Sequence, residues 1–353
     1  MRRLTALAIA SVALLLTAGP TLACGGLVGP NGAVNLLRTT TFAGYHDGVE
    51  HYITAFEFAG GEGEFGSIVP LPDVPSDVVK GGDWTLQRLI LETDPPDFAF
   101  EAAAVGLARA DAEVLMQVRI DALDITVLRG GGDQVGTWAS EHGFRLPPDA
   151  PEVLDFYARR SPIFLAAVFD ADAARERGQQ IGDGTPVHIT IPTDDPWVPL
   201  RILALGRQPV ERVEADVYLL TDSAPNLLPD PTFTDGLDKT HSAWASDLLL
   251  SDLRSDAGME WVPESGYLTK IEIDSAAPDL TYDLAIDPTG ISAPSPVDAG
   301  LEFPIGTALM RSTTASVMAL LLLVAVAIVP IGLVLGAVRT TSGRRPPLAG
   351  AGG

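Results

Sequence analysis

The sequence predicts an α+β domain, mainly antiparallel sheet with a few helices, plus one C-terminal transmembrane helix. Three observations lead there. Strand-like segments come first, helical segments occupy the middle and strands return, an order that fits α+β better than alternating βαβ units. His46-Asp47-Gly48 lies between two β-rich runs, and Asp-Gly favours a tight hairpin because both turn positions take positive φ. Ala315 to Val338 is an uncharged apolar run. As a helix it reaches about 36 Å, enough to cross a hydrocarbon core of ~30 Å with some tilt.

Taken in order, residues 35–45 and 49–58 form the hairpin. Ile68-Val69-Pro70-Leu71-Pro72 makes a short strand that its prolines confine to an edge or a strand end. Asp83 caps a helix over 84–91 whose Leu86, Leu89 and Ile90 share a face. Residues 113–120 and 124–128 form a strand pair. Asp133 then caps a helix over 134–142, and Asp149 caps another over 151–159 with Pro151 in its first turn. Strands follow at 163–169, 187–191, 200–205, 215–220 and 268–273, with a helix at 244–253 after a polar stretch. Five tryptophans read mostly as core, with Trp197 beside turn residues and partly exposed.

The ends give the placement. Arg2 and Arg3, the apolar stretch from Leu4 to Leu16 and the small residues before Cys24 read as a signal peptide over 1–23. The exported domain then spans 24–287, as one domain or as two subdomains split near 170–186. A Pro/Ser-rich stalk covers 288–314, the transmembrane helix 315–338 and a basic tail 339–353. Arg339, Arg344 and Arg345 mark the cytoplasmic side, so the chain reads as a single-pass protein of the cell membrane with its N-terminal domain outside. Cys24, following Ala and preceding Gly, is a candidate for lipidation, although Thr21 stands where a lipoprotein signal prefers Leu.

The chain carries 46 acidic and 23 basic side chains, a net charge of −23. Six of the arginines lie in the flanks, so the central part is more acidic still. Such a surface repels phosphate and excludes nucleic acid as a partner. A lone cysteine excludes an internal disulfide and a cysteine-based zinc site. There is no Gly-x-Ser-x-Gly, His-Glu-x-x-His, Ser-x-x-Lys or phosphate-binding loop, so no catalytic or cofactor-binding residue is assigned.

Candidate metal ligands remain. His46 and His51 fall on one face across the hairpin, as diagonal neighbours about 7–8 Å apart. Asp170, Asp172 and Asp183 border one glycine-rich loop, and Asp230, Asp235 and Asp238 surround Gly236 in another. Flexible loops with oxygen ligands suit calcium, though neither has EF-hand spacing and ordinary turn chemistry explains both.

Several segments occur in a recognisable order: Cys24-Gly25-Gly26, Ile68-Val69-Pro70-Leu71-Pro72, Thr137-Trp138-Ala139-Ser140-Glu141-His142-Gly143-Phe144-Arg145-Leu146-Pro147, Asp155-Phe156-Tyr157 and Trp197-Val198-Pro199-Leu200-Arg201-Ile202. Over most of residues 24–285 the chain resembles DUF2330, a bacterial family of uncharacterised exported proteins. That resemblance implies an exported domain, often followed by a membrane helix, and carries over no catalytic residue. Many members have a second cysteine shortly after Cys-Gly-Gly, where this chain has Gly29, so a family cysteine pair would be missing here. The resulting expectation is a non-enzymatic binding or scaffolding module of the bacterial envelope, with an envelope protein or glycan as ligand. The alternative is an envelope hydrolase or calcium-dependent enzyme with a non-standard site.

Overall fold

The computed structural model describes residues 26–29, 32–34, 39–57, 64–94, 114–176, 178 and 184–301. The expected signal peptide over 1–23, Cys24, Asp183 and the expected transmembrane segment 315–338 lie outside them. Among the described residues no helix is long and apolar enough to cross a membrane.

Strands β1 (Gly26–Gly29), β2 (Gly32–Val34), β5 (Glu64–Leu71), β7 (Val114–Ile120), β8 (Leu123–Arg129) and β9 (Ile163–Asp170) form one sheet in the order β2-β1-β5-β9-β8-β7. A larger sheet takes β3 (Thr39–His46), β4 (Val49–Glu57), β6 (Asp77–Lys80), β10 (Gly184–Pro192), β12 (Arg212–Thr221), β14 (Leu237–Trp244) and β15 (Tyr267–Ala276). Its order is β14-β15-β12-β3-β4-β10-β6, and within it β12 and β3 pair in parallel. A small third sheet joins β11 (Trp197–Val198), β16 (Leu284–Asp287) and β13 (Asn226–Leu228). The larger sheet interleaves strands from before and after residues 170–186. The described residues up to Leu301 group into one compact unit, and Ala299, in the stretch read as a stalk, is buried there. The mixed α+β class with mainly antiparallel sheet is what the sequence predicts.

The core follows from strand alternation. Phe42, Ile53, Tyr218 and Leu268 point to one side of the larger sheet and pack on Leu86 and Leu89 of helix α1 (Thr85–Thr93). Leu249, Leu250 and Leu253 of a later helix, Asp247–Ser255, join them. Their neighbours Ala43, Tyr52, Val217 and Leu219 share a second core with the smaller sheet and helices α2 (Gly132–Glu141) and α3 (Ala150–Ala158). A short helix, α4 (Ala171–Glu176), follows β9, so Asp247–Ser255 is α5.

The hairpin forms as expected: His46 pairs with Val49, and Asp47 and Gly48 both take positive φ. Pro70 sits one residue from the end of β5 and beyond its register with β1, a place where a missing N–H is tolerated, although β5 itself is an interior strand. Three helix caps differ from expectation. The α1 N-terminus is closed by Asp256, whose carboxylate accepts from the N–H groups of Asp83 and Trp84 and from the Thr85 hydroxyl at 2.8–3.1 Å. At α2 the Gln134 side chain accepts from the Gly131 N–H, leaving Asp133 within the first turn. Asp149 precedes α3 but accepts from the Gly206 N–H. The expected strand at 200–205 is a 3₁₀ turn, Arg201–Ala204. Buried Asp283 accepts there from the N–H groups of both Leu200 and Arg201 and from the Tyr157 hydroxyl, while pairing with Arg160. Two tryptophans also differ. Trp197 is buried under Tyr157 and Arg160, and Trp244 is 60% exposed.

Candidate functional site

Two of the candidate loop carboxylates, Asp170 and Asp230, take part in local turn chemistry. Asp170 accepts from the N–H groups of Asp172 and Ala173 at the start of α4, which places its carboxylate over a helix N-terminus. Asp230 accepts from the Thr232 N–H at 2.8 Å, and Asp235 and Asp238 are exposed nearby in sequence. His46 and His51 share a face as the register requires, but their rings commit to different partners. His46 donates from Nδ1 to the Asp222 carboxylate at 2.7 Å. His142, at the end of α2, hydrogen-bonds the Trp138 carbonyl and stacks on the Trp138 ring. Among the described residues no three or more His, Cys, Asp or Glu side chains converge in a group able to hold a metal ion.

The constellation that does assemble centres on His51. Strand β10 lies beside β4 with Thr190 opposite His51 and His188 opposite Ile53, so both imidazoles emerge on one face. Nδ1 of His51 and Nε2 of His188 meet at 2.9 Å in one hydrogen bond. Trp261 closes the site, its ring stacked on His51 at 3.8 Å and 2° from parallel. This requires glycine on β3: a Cβ at Gly44 would sit 2.1 Å from the Trp261 ring. His188 is only 4% exposed, and its ring lies against the Gly258 backbone. Burial holds both imidazoles neutral. It lowers the His51 pKa to about 3, assisted by His188 and His46. It lowers that of His188 to about 4, against the opposing pull of the Gly258 backbone, Asp77 and Glu260.

On the opposite face of the same strand lies Glu50, 1% exposed, its carboxylate beside the Trp197 backbone. Burial raises its pKa to about 8, and the nearby Trp197 backbone offsets only part of that. A third polar group, Lys270 on β15, binds Asp94 and Glu272, with Asp216 at 3.5 Å. Burial alone would lower the lysine pKa, but the bonds to Asp94 and Glu272 raise it above the ordinary value.

The outer edge of the larger sheet is different in character. Among the described residues strand β14 pairs only with β15, and most of its side chains are exposed. It ends at Trp244, which packs edge-on against Tyr267, and Leu248 at 68% exposure follows in the first turn of α5. Asp235, Asp238, Asp247 and Glu264, all exposed, flank this edge in sequence. A shallow groove between α2 and α3 is lined by Gly132, Gly136, Thr137, Ser140 and Leu154.

Sequence reasoning found His51 as a hairpin residue but missed His188 and Trp261 as its partners. The only local signal for them was period-2 alternation along β10, which puts His188 on the inward face. Glu50 points away from the histidines, as alternation along β4 requires.

The architecture is that of a mixed α+β domain with a buried histidine pair and an open sheet edge. The chain belongs to DUF2330, a family described as an uncharacterised protein conserved in bacteria, whose model matches residues 19–285. No curated protein matches the chain. Among solved structures it is similar to baculovirus P35 at 8% identity and a TM-score of 0.38, over 71% of this chain and 96% of that one. P35 in its complex with caspase-8 gives 8% identity and a TM-score of 0.35, over 70% and 90% of the two chains. Likeness at that level bears on neither fold family nor function.

Proposed function

We propose that the chain is a non-enzymatic binding or scaffolding module of the bacterial cell envelope. In this reading residues 315–338 cross the membrane, residues 339–353 lie in the cytoplasm and the folded domain stands outside. Its apolar length and the arginines after it support the anchor. The observation that carries the binding role is the edge at β14, which among the described residues has one neighbouring strand, with Trp244, Tyr267 and Leu248 beside it. An exposed edge with an aromatic anchor is suited to strand addition: the backbone supplies hydrogen bonds and the aromatic supplies apolar contact. Acidic residues along the edge select an extended polypeptide carrying basic side chains as the occupant.

A photo-crosslinking residue at Thr240, in full-length chain expressed in its native membrane, tests this. One discrete polypeptide adduct is expected, reduced at least tenfold by Trp244→Ala at unchanged melting temperature. Adducts only to lipid or glycan, none at all, or a polypeptide adduct indifferent to Trp244→Ala would overturn it.

A further inference from the structure

Strand β14 presents its backbone in a fixed phase. Ala245 donates its N–H to the Gly266 carbonyl, and Asp274 donates to the Gly236 carbonyl, so β14 and β15 are hydrogen-bonded at those pairs. An antiparallel ladder alternates bonded and non-bonded pairs. Leu237, Lys239, Ser242 and Trp244 therefore turn their N–H and C=O groups away from β15. The register shift between Lys239 and His241 leaves Thr240 as the extra residue and keeps both halves of the strand in this phase. The four outward residues also share a face, opposite Ile273, Ile271, Thr269 and Tyr267. Asp238, His241 and Ala243 take the other face, opposite Glu272, Lys270 and Leu268, where α1 and α5 pack.

The two faces differ chemically. On one, Trp244 meets Tyr267 edge-on at 5.5 Å, Ser242 hydrogen-bonds the Tyr267 hydroxyl, and Lys239 is the charged residue of β14. The helix side carries a row of carboxylates. Asp216 on β12 lies opposite Glu272 on β15, which lies opposite Asp238 on β14. Like charges directly across a sheet repel. Lys270 offsets the inner two, its Nζ 2.7 Å from Glu272 and 3.5 Å from Asp216, and it binds Asp94 as well. Asp238 is exposed at the outer end of the row, and among the described residues it has no ion pair.

We propose that the polypeptide received at β14 is an amphipathic strand, apolar on the side of Trp244 and basic on the side of the helices, with a lysine or arginine opposite Asp238. This rests on the β14 edge being the docking site. A strand that hydrogen-bonds to Ser242 and Trp244 sets its own bonded residues on the Trp244 face, because residues paired across a ladder share a face. Its intervening residues fall on the helix side. The one opposite Asp238 carries the row onto a further strand and supplies the positive charge that the row lacks at its outer end. That pair is not hydrogen-bonded, so its Cα atoms stand only about 4.5 Å apart, a separation that suits a short aspartate. A basic residue one place out of register meets Trp244 or Lys239 instead, so charge and alternation are read together.

Two fluorescein-labelled octapeptides of identical composition test this by fluorescence anisotropy with the full-length chain in detergent. One alternates valine and lysine, and the other places all its valines before all its lysines. Wild type should bind the alternating peptide at least tenfold more tightly. Trp244→Ala should weaken that binding about tenfold, and Asp238→Lys about fivefold. An alternating valine–glutamate peptide should bind Asp238→Lys more tightly than wild type, a gain that a damaged fold cannot give. Equal affinity for the two lysine peptides, lost in Trp244→Ala, would overturn the proposed pattern and leave the edge as the docking site. Affinity for the alternating peptide that falls in Trp244→Ala but not in Asp238→Lys would do the same. Binding of neither peptide, or binding indifferent to Trp244→Ala, would overturn the pattern and the docking site together.

Discussion

Glu50 and the histidine pair stand back to back on one strand, and they make opposite demands on pH. The Glu50 carboxyl has its pKa raised from 4.5 to about 8 on folding. The unfolded chain therefore ionises first, and the stability present below pH 4.5 is lost as pH rises through 8. Glu50→Gln removes that slope. We expect the stability of the variant in urea unfolding to be nearly flat from pH 7 to 9, and higher than that of wild type by up to roughly 4 kcal/mol at pH 9. Parallel curves for the two proteins would show that Glu50 is ionised and paired. The histidines act in the other sense. Their pKa values fall from 6.5 to about 3 and about 4, so their contribution is complete above pH 6.5 and is lost as pH falls through 4. Only part of this was legible in the sequence. Alternation across the Asp-Gly hairpin put Glu50 and His51 on opposite faces, because that register is local. That His188 would meet His51, and that Trp261 would cover both over Gly44, depends on strands and loops far along the chain.

Helices and strands show the same division between local and remote causes. The hairpin, β7–β8 and the first turn of α3 were readable because Asp-Gly, alternation and Pro151 act within a few residues. The cap of α1 was not, since its carboxylate comes from Asp256 at the end of α5, packed closely over Gly82. One side chain thus finishes one helix and fastens it to another. Asp256→Ala strands the N–H groups of Asp83 and Trp84, and urea denaturation should report a loss of roughly 2–3 kcal/mol. Asp83→Ala, the cap suggested by sequence, should cost well under 1 kcal/mol. If Asp83→Ala proves the more damaging, Asp256 is not the cap. Residues 200–205 were misread for a similar reason: their apolar spacing suits a strand, but Asp283 draws two successive N–H groups to one carboxylate and so tightens the backbone into a 3₁₀ turn.

At the scale of the molecule, charge dominates. A net charge of −23 is self-repulsive, so raising sodium chloride from about 10 to 150 mM should raise the melting temperature. Calcium distinguishes screening from a specific site. Asp170 and Asp230 already bind backbone N–H groups, so millimolar calcium should shift the melt no further than sodium chloride of equal ionic strength. A larger, saturable shift would show that the loops or residues around them hold the ion. Composition made this acidity plain from the outset. It could not reveal that Trp244 stands in solvent at an open edge, because an isolated aromatic in sequence looks the same whether it fills a core or meets a partner.

The parallel pairing of β3 with β12 also fixes an order of events. Thr39 registers with Ala215, and on its other side the hairpin is completed by β10, from 184 onward. An isolated two-stranded ribbon is marginal in water, and sheets built from distant pairings assemble slowly. The β3–β4 hairpin must therefore wait for most of the domain before strands flank it on either side. For a chain delivered across a membrane as proposed, that delay keeps it threadable until the far side is reached.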